Sequence, residues 1–509
     1  MKNLSLSTVI AAVALAAALA STPAYAASSM QYLGNVGAWA TVPGTDLLIV
    51  ADGSVIKAIN LSNSPQVLWE RGVGFRPDHL AVSPDREYVA ACSNTGGAAL
   101  IYIRNGSSVG DVRGVCPAAF SPDSAWLALG GVNQVRLYGI GGGLTVLDVG
   151  GTPSALYWVG DSLVAVVPGA RVTYLIRPGE AAQALVGFYV VAGAVDGRVV
   201  LYSSKAVGFV GPEGLTSVVA TGSVVTAKAL SNGVVVASLS NGSVAVIKED
   251  GVKNTVALFP PGTGSPTIDE AYAVGDYAVV VASVAAREWG VLVINIKSYD
   301  PVIAEVSNET YIRAYPGEEG YLLVTRGKVG TVYRLGSSGA DKIAEVSPAG
   351  VGVWCGNHLI IGGAEPKSVT VEGDKAIVED APIKGNPIKL FGNCSLLLTG
   401  EAANTYTHVL RVYATGTWEQ VVEKEIRFST LIPANGAYIK ELNNGDYLII
   451  YPQTTPQPEY AVLIASATTA QQGVAWYATP AALTALVAGL VALLALYLKR
   501  KMRPSEEGG

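Results

Sequence analysis

One short pattern recurs along this chain and limits what it can fold into. Residues 80–90 read Leu-Ala-Val-Ser-Pro-Asp-Arg-Glu-Tyr-Val-Ala, and residues 119–129 read Ala-Phe-Ser-Pro-Asp-Ser-Ala-Trp-Leu-Ala-Leu. Each is an apolar strand, a Ser-Pro-Asp turn and a second apolar strand. Each then passes a turn containing Gly or Asn into an alternating strand, at 99–103 and 134–138. The turn chemistry suits a hairpin, because Pro presets φ and Asp bonds its own backbone. Weaker copies begin at Val42, Trp158, Val191, Leu230, Ala273, Tyr315, Trp354, Phe391 and Leu442. That makes about eleven units spaced by roughly forty residues, with no amphipathic helix of three turns between them. Small sheets of this kind are apolar on both faces and must stack on one another.

That period, with four short strands per unit, is the signature of a β-propeller blade and an all-β fold. The Ser-Pro-Asp turns and the strand pattern resemble the WD-repeat and YVTN-type propeller superfamily over residues 30–466, most clearly in the second and third units. The Gly-His and Trp-Asp signatures of WD repeats are missing, so the resemblance implies an architecture and no partner. Eleven units exceed the usual four to eight blades of one ring. Two tandem rings, residues 27–222 and 223–465, are therefore the preferred division, with one large ring or a smaller blade count left open. The last unit ends after about three strands at 460–464, and an unassigned strand precedes the first unit at 31–36. Pairing the two would complete the final blade and hide its edge.

The ends read differently from the middle. Lys2, an apolar run from Val9 to Ala20 and Ala24-Tyr25-Ala26 predict a signal peptide over 1–26. Val474 to Leu498 carries no charge and is flanked by Trp476, Tyr477 and Tyr497. A stretch of that length spans a bilayer as one helix. Lys499, Arg500, Lys501 and Arg503 follow, which predicts a cytoplasmic tail over 499–509. Residues 466–473 are a short linker, so the expectation is a single-pass protein of the cell membrane with its bulk extracellular. A large, Val/Ala/Gly/Tyr-rich surface chain with a terminal anchor also resembles archaeal envelope proteins.

Acidic residues outnumber basic ones, 40 against 34, and no basic stripe appears, which argues against nucleic acid as a partner. The four cysteines all fall in the exported part, where an even number predicts two disulfides. The sequence-local pairing, Cys92–Cys116 and Cys355–Cys394, is preferred among the three. In support, the turns at Cys355 and Cys394 look like equivalent turns of successive units. Asn-x-Ser/Thr sequons at Asn60, Asn105, Asn241, Asn308 and Asn393 are glycosylation candidates.

The search for catalytic chemistry finds no constellation. His79, His358 and His408 fall in different units without metal-ligand spacing. There is no Gly-x-Ser-x-Gly elbow and no phosphate-binding loop, and residues 139–143 read as a flexible turn. Asp78, Asp85, Asp123, Asp161, Asp276 and Asp446 sit at Pro/Gly turns, where backbone capping is the expected role. The arginines at 71, 76, 86, 104 and 113 are interleaved with acids and read as a solvated face. No catalytic, cofactor or metal residue is assigned, and no cofactor is expected.

The functional expectation is a membrane-anchored extracellular propeller acting as a non-catalytic protein- or glycan-binding scaffold of the envelope. One alternative is an envelope hydrolase or redox enzyme that uses a propeller channel. Another is an accessory subunit of a membrane transporter, docked through small residues such as Ala485, Ala488 and Gly489.

Overall fold

The computed structural model describes residues 29–466, apart from 286, 309, 318–319, 337–338, 374, 393–395, 405, 415–417, 428–431, 434–436 and 455–458. The expected signal peptide, membrane helix and tail, together with Asn393 and Cys394, lie outside the described residues. No helix of the described residues is long and apolar enough to cross a membrane.

The described chain is all β, interrupted by one 3-10 turn, Pro168–Ala170. Its strands form eleven separate antiparallel sheets. In chain order these blades cover residues 38–72, 79–102, 115–148, 155–186, 190–220, 224–257, 267–307, 312–346, 352–380 and 389–427, and the eleventh is built mainly from 438–466. Blade 2 keeps three strands. Its fourth is reduced to a single bridge between Ile101 and Ser108, in a stretch broken by Gly106 and Gly110.

The sequence explains the order of strands within a blade. Second and third strands are runs of Val, Leu, Ile and Ala buried on both sides. Tyr277–Val284 is buried at every position. A strand covered on both faces reads as a continuous apolar run, and β-branched residues suit it. Fourth strands alternate in exposure, as at Leu144–Asp148, because one face meets solvent. First strands of successive blades touch one another, so they lie innermost, around the axis.

The Ser-Pro-Asp turns have the same geometry in blades 2 and 3. Ser83 N–H donates to the Tyr88 carbonyl and Ser121 N–H to that of Trp126, each at 2.9 Å. Arg86 and Ser124 both adopt positive φ, 68° and 61°. Asp85 Oδ1 accepts from Glu87 N–H, and Asp123 Oδ1 from Ala125 N–H, each at 3.0 Å. The expected capping role therefore holds at these two positions. Equivalent turns also lie side by side, since Asp85 N–H donates to Ser124 Oγ at 2.9 Å.

Closure follows the expectation for the final blade. Ser29–Val36 runs antiparallel to Glu459–Ser466, from Ser29 opposite Ser466 to Val36 opposite Tyr460. The N-terminal strand is thus the outermost strand of blade 11, and the last strand runs one residue into the expected linker.

The division into two rings is not what the packing shows. The expected boundary at residues 222 and 223 falls between Gly214–Ala220, the fourth strand of blade 5, and Val224–Ala229, the first strand of blade 6. Phe209, Val200 and Val207 of blade 5 share one apolar cluster with Val235, Ala237 and Ile247 of blade 6. Similar clusters join every other neighbouring pair, such as blades 4 and 5 through Val164 and Leu201. The eleventh joins the first through Leu448, Ile450, Leu48 and Val50. The blades close as a single succession of eleven, because each sheet has two apolar faces and finds a partner for both.

Cys92, in the second strand of blade 2, is bonded to Cys116, in the first strand of blade 3, with Cα atoms 5.2 Å apart. The expected local pairing is present here. The bond closes a loop of 24 residues between neighbouring blades. Loop-closure entropy then predicts that Cys92→Ser with Cys116→Ser lowers stability by about 3 kcal/mol. Denaturant midpoints of the parent and of the double variant, both measured without reductant, check this.

Candidate functional site

The innermost strands carry few charges, and those of blades 7 and 8 supply Asp269, Glu270 and Arg313. The first strand of blade 7, Thr267–Val274, has a register shift between Ile268 and Glu270. A bulge of this kind redirects the side chains beside it. The first strand of blade 8 is Ile312–Pro316. Between them lies a recess of about 250 Å3, lined by Glu270 and Tyr272 of blade 7 and Arg313 and Tyr315 of blade 8. Val351 and Gly352 of blade 9 and Leu390 and Phe391 of blade 10 complete its wall. Four consecutive blades therefore contribute their innermost strands to one cavity.

Gly352 is needed for this packing. A Cβ at that position would stand 2.5 Å from Leu323 Cδ2 and 3.4 Å from the Tyr315 ring.

Burial dominates the electrostatics. It raises the Glu270 carboxyl above its ordinary range, opposed by the Arg313 charge, the Ala314 N–H and the Tyr272 hydroxyl. Burial also pushes the Tyr272 phenol upward, helped by the charge of Glu270. For Arg313, burial works against the charge, but the phenol oxygens of Tyr311 and Tyr315 more than offset it and the pKa rises. Its guanidinium also lies 4.9 Å from the Tyr311 ring centre, within cation–π range. Glu270 Oε2 and Arg313 Nε are nonetheless buried without a hydrogen-bond partner. A carboxyl raised by folding binds its proton more tightly in the folded chain. The folded state then loses stability as pH climbs from the ordinary glutamate range through the raised value. Glu270→Gln should be more stable than the parent protein above that window and equal to it below, as read from thermal midpoints against pH.

Sequence reasoning passed over these four residues. The available signal was charge in two successive innermost strands, Asp-Glu at 269–270 and Arg at 313. The residues it did single out stay apart. His79 and His358 are exposed, in blades 2 and 9, and His408 is buried in blade 10 with Nδ1 3.0 Å from the Tyr451 hydroxyl. Among the described residues no group of three His, Cys, Asp or Glu side chains could hold a metal ion. Asp78 caps Asn94 N–H at 2.7 Å, whereas Asp276 pairs with Lys297 and Asp161 faces Arg177. Asn105, Asn241 and Asn308 are exposed, and Asn60 is partly so. The side-chain oxygens of Asn60, Asn105 and Asn241 each accept the N–H two residues on.

Antiparallel four-stranded blades, packed face to face around an axis and closed by an N-terminal strand, define a β-propeller. No protein-family model and no curated protein matches the chain. Among solved structures it is similar to one titled "Crystal structure of the eukaryotic initiation factor". The TM-score is 0.40 at 10% identity, over 80% of this chain and 90% of that one. It is also similar to the C-terminal WD40 domain of Sif2, with a TM-score of 0.34 at 14% identity, over 68% and 99% of the two chains. For KlHsv2 with loop 6CD replaced by a Gly-Ser linker, the values are 0.32, 10%, 62% and 99%. The assignment as a propeller rests on the blades themselves.

Proposed function

We propose that this chain is a membrane-anchored extracellular propeller that serves the cell envelope as a non-catalytic protein- or glycan-binding scaffold. One observation carries the reading. Ser29 pairs with Ser466, so the first and last described strands end side by side on blade 11. A signal peptide removed before Ser29 and a membrane helix begun shortly after Ser466 would hang a rigid ring from a single blade. The other ten blades and their loops stay free to meet partners. The Cys92–Cys116 bond suits an oxidising compartment. External protease on sealed cells should reach the propeller and leave the tail protected. Affinity capture of the full chain from solubilised membranes should recover a stoichiometric partner, and repeated recovery of the chain alone would overturn the scaffold role.

An envelope hydrolase is the second reading, favoured by the raised carboxyl of Glu270 in a recess near the axis. It requires turnover of a glycoside or peptide substrate that Glu270→Gln abolishes. A transporter subunit would be captured with its membrane partner through residues 474–498.

A further inference from the structure

A second recess, of about 420 Å3, lies where turns of blades 3 and 4 meet at one end of the ring. It is built from the turns between first and second strands, at 121–125 and 160–161, and from the turn that follows the third strand of blade 4. Trp126 and Trp158, both half-buried, line it together with Asp123, Asp161, Arg177 and Glu180. Charge is unbalanced there. Arg177 stands among three carboxylates, 2.8 Å from Glu213 of blade 5, 3.8 Å from Glu180 and 3.9 Å from Asp161. One cation leaves that group with surplus negative charge. The Glu180 and Asp161 side chains are 63% and 76% exposed, so both are within reach of a ligand. The Trp158 indole N–H donates to the Ala119 carbonyl at 3.2 Å, whereas that of Trp126 has no partner among the described residues.

An occupant must therefore bring positive charge for the carboxylates, an apolar stretch for the indoles and an acceptor for Trp126. A basic residue within a polypeptide has all three. Its head carries only donors, its methylene stem lies along apolar surface, and its backbone carbonyl accepts. A metal ion lacks the apolar stem, and a neutral sugar lacks the charge. The position of the recess says where such a partner stands. First and third strands of a blade run the same way, so these turns share one end of the ring with Ser466, where the third strand of blade 11 stops. On the reading above, the short linker 466–473 holds that end close to the membrane.

We infer that this recess docks a basic segment of a neighbouring membrane protein, with one lysine or arginine side chain laid across Trp126 and Trp158 and its charge met by Asp161 and Glu180. Indole rings attract such cations, and the attraction adds to that of the carboxylates. The inference rests on the scaffold reading and narrows its partner to a protein with basic residues just outside the membrane.

The test uses the full chain in a neutral detergent. The probes are a blocked peptide of four Gly-Lys repeats, its Gly-Glu counterpart, and spermine, which matches the first in charge. Calorimetry at low salt should show the Gly-Lys peptide binding, more weakly as salt rises, and more tightly than spermine. Asp161→Asn combined with Glu180→Gln should weaken that binding about tenfold, and both sites are exposed enough for the fold to tolerate the change. Trp126→Phe, which removes the free indole N–H, should weaken it severalfold. No binding of the Gly-Lys peptide at low salt overturns the inference, as does equal binding of the Gly-Glu peptide or indifference to both variants. Spermine binding as tightly as the peptide overturns it in favour of a small polyamine. If the peptide fails while a stoichiometric partner is still captured from membranes, the docking recess falls and the scaffold reading stands.

Discussion

Removing residues 29–36 should lower the thermal midpoint of this protein by of the order of 10 °C, a larger fall than a single core substitution produces. The strand has seven backbone partners in Glu459–Ser466. At about 1 kcal/mol net for each hydrogen bond, its loss costs several kcal/mol before side chains are considered. Val36 is buried in the cluster that joins blade 11 to blade 1, with Leu48 and Leu448, so the seam of the ring loosens as well. The edge of Glu459–Ser466 would then be bare, and such an edge recruits other chains. Hydrogen exchange should accelerate at residues 447–466, and a peptide of sequence 29–36 added in excess should restore part of the protection. An unchanged midpoint would show that blade 11 is complete without its N-terminal strand.

The second large effect is expected at Phe209→Ala. This side chain is 2% exposed and sits in the cluster shared by blades 5 and 6. Truncating a buried Phe costs about 3–5 kcal/mol, part of it from the cavity left behind. Its position makes the result informative beyond its size. In a single closed ring both neighbouring blades lose support, so amides at 207–211 and at 235–247 should exchange faster together, within one shifted unfolding transition. Two rings meeting at residue 222 would instead give two transitions, with only the first displaced.

Much of the fold was legible because it is local. A Ser-Pro-Asp turn with positive φ at the next residue makes a hairpin from neighbouring residues alone, and the repeats at 83–86 and 121–124 kept that geometry. The Cys92–Cys116 bond joins successive units, so short spacing in the chain already pointed to it. The join between Ser29–Val36 and Glu459–Ser466 was also readable, from a last unit short of one strand and a strand left over.

The number of rings was not legible in the same way. Every interface between blades is made of the same Val, Ala and Leu, and nothing local marks where a ring must close. The answer depends on the slight angle between sheets accumulated over all eleven interfaces, and only the packed structure sums it. The recess at Glu270 and Arg313 belongs to that same class. Its two charged groups lie 43 positions apart in different blades. Their partnership exists only because first strands of neighbouring blades are innermost. The amino-acid sequence by itself determined the hairpins, their repetition and the strand that completes the last blade, because turn chemistry and alternation act over a few residues. Tertiary structure alone decided ring closure and the placing of Glu270 beside Arg313, because stacking geometry is a property of whole sheets.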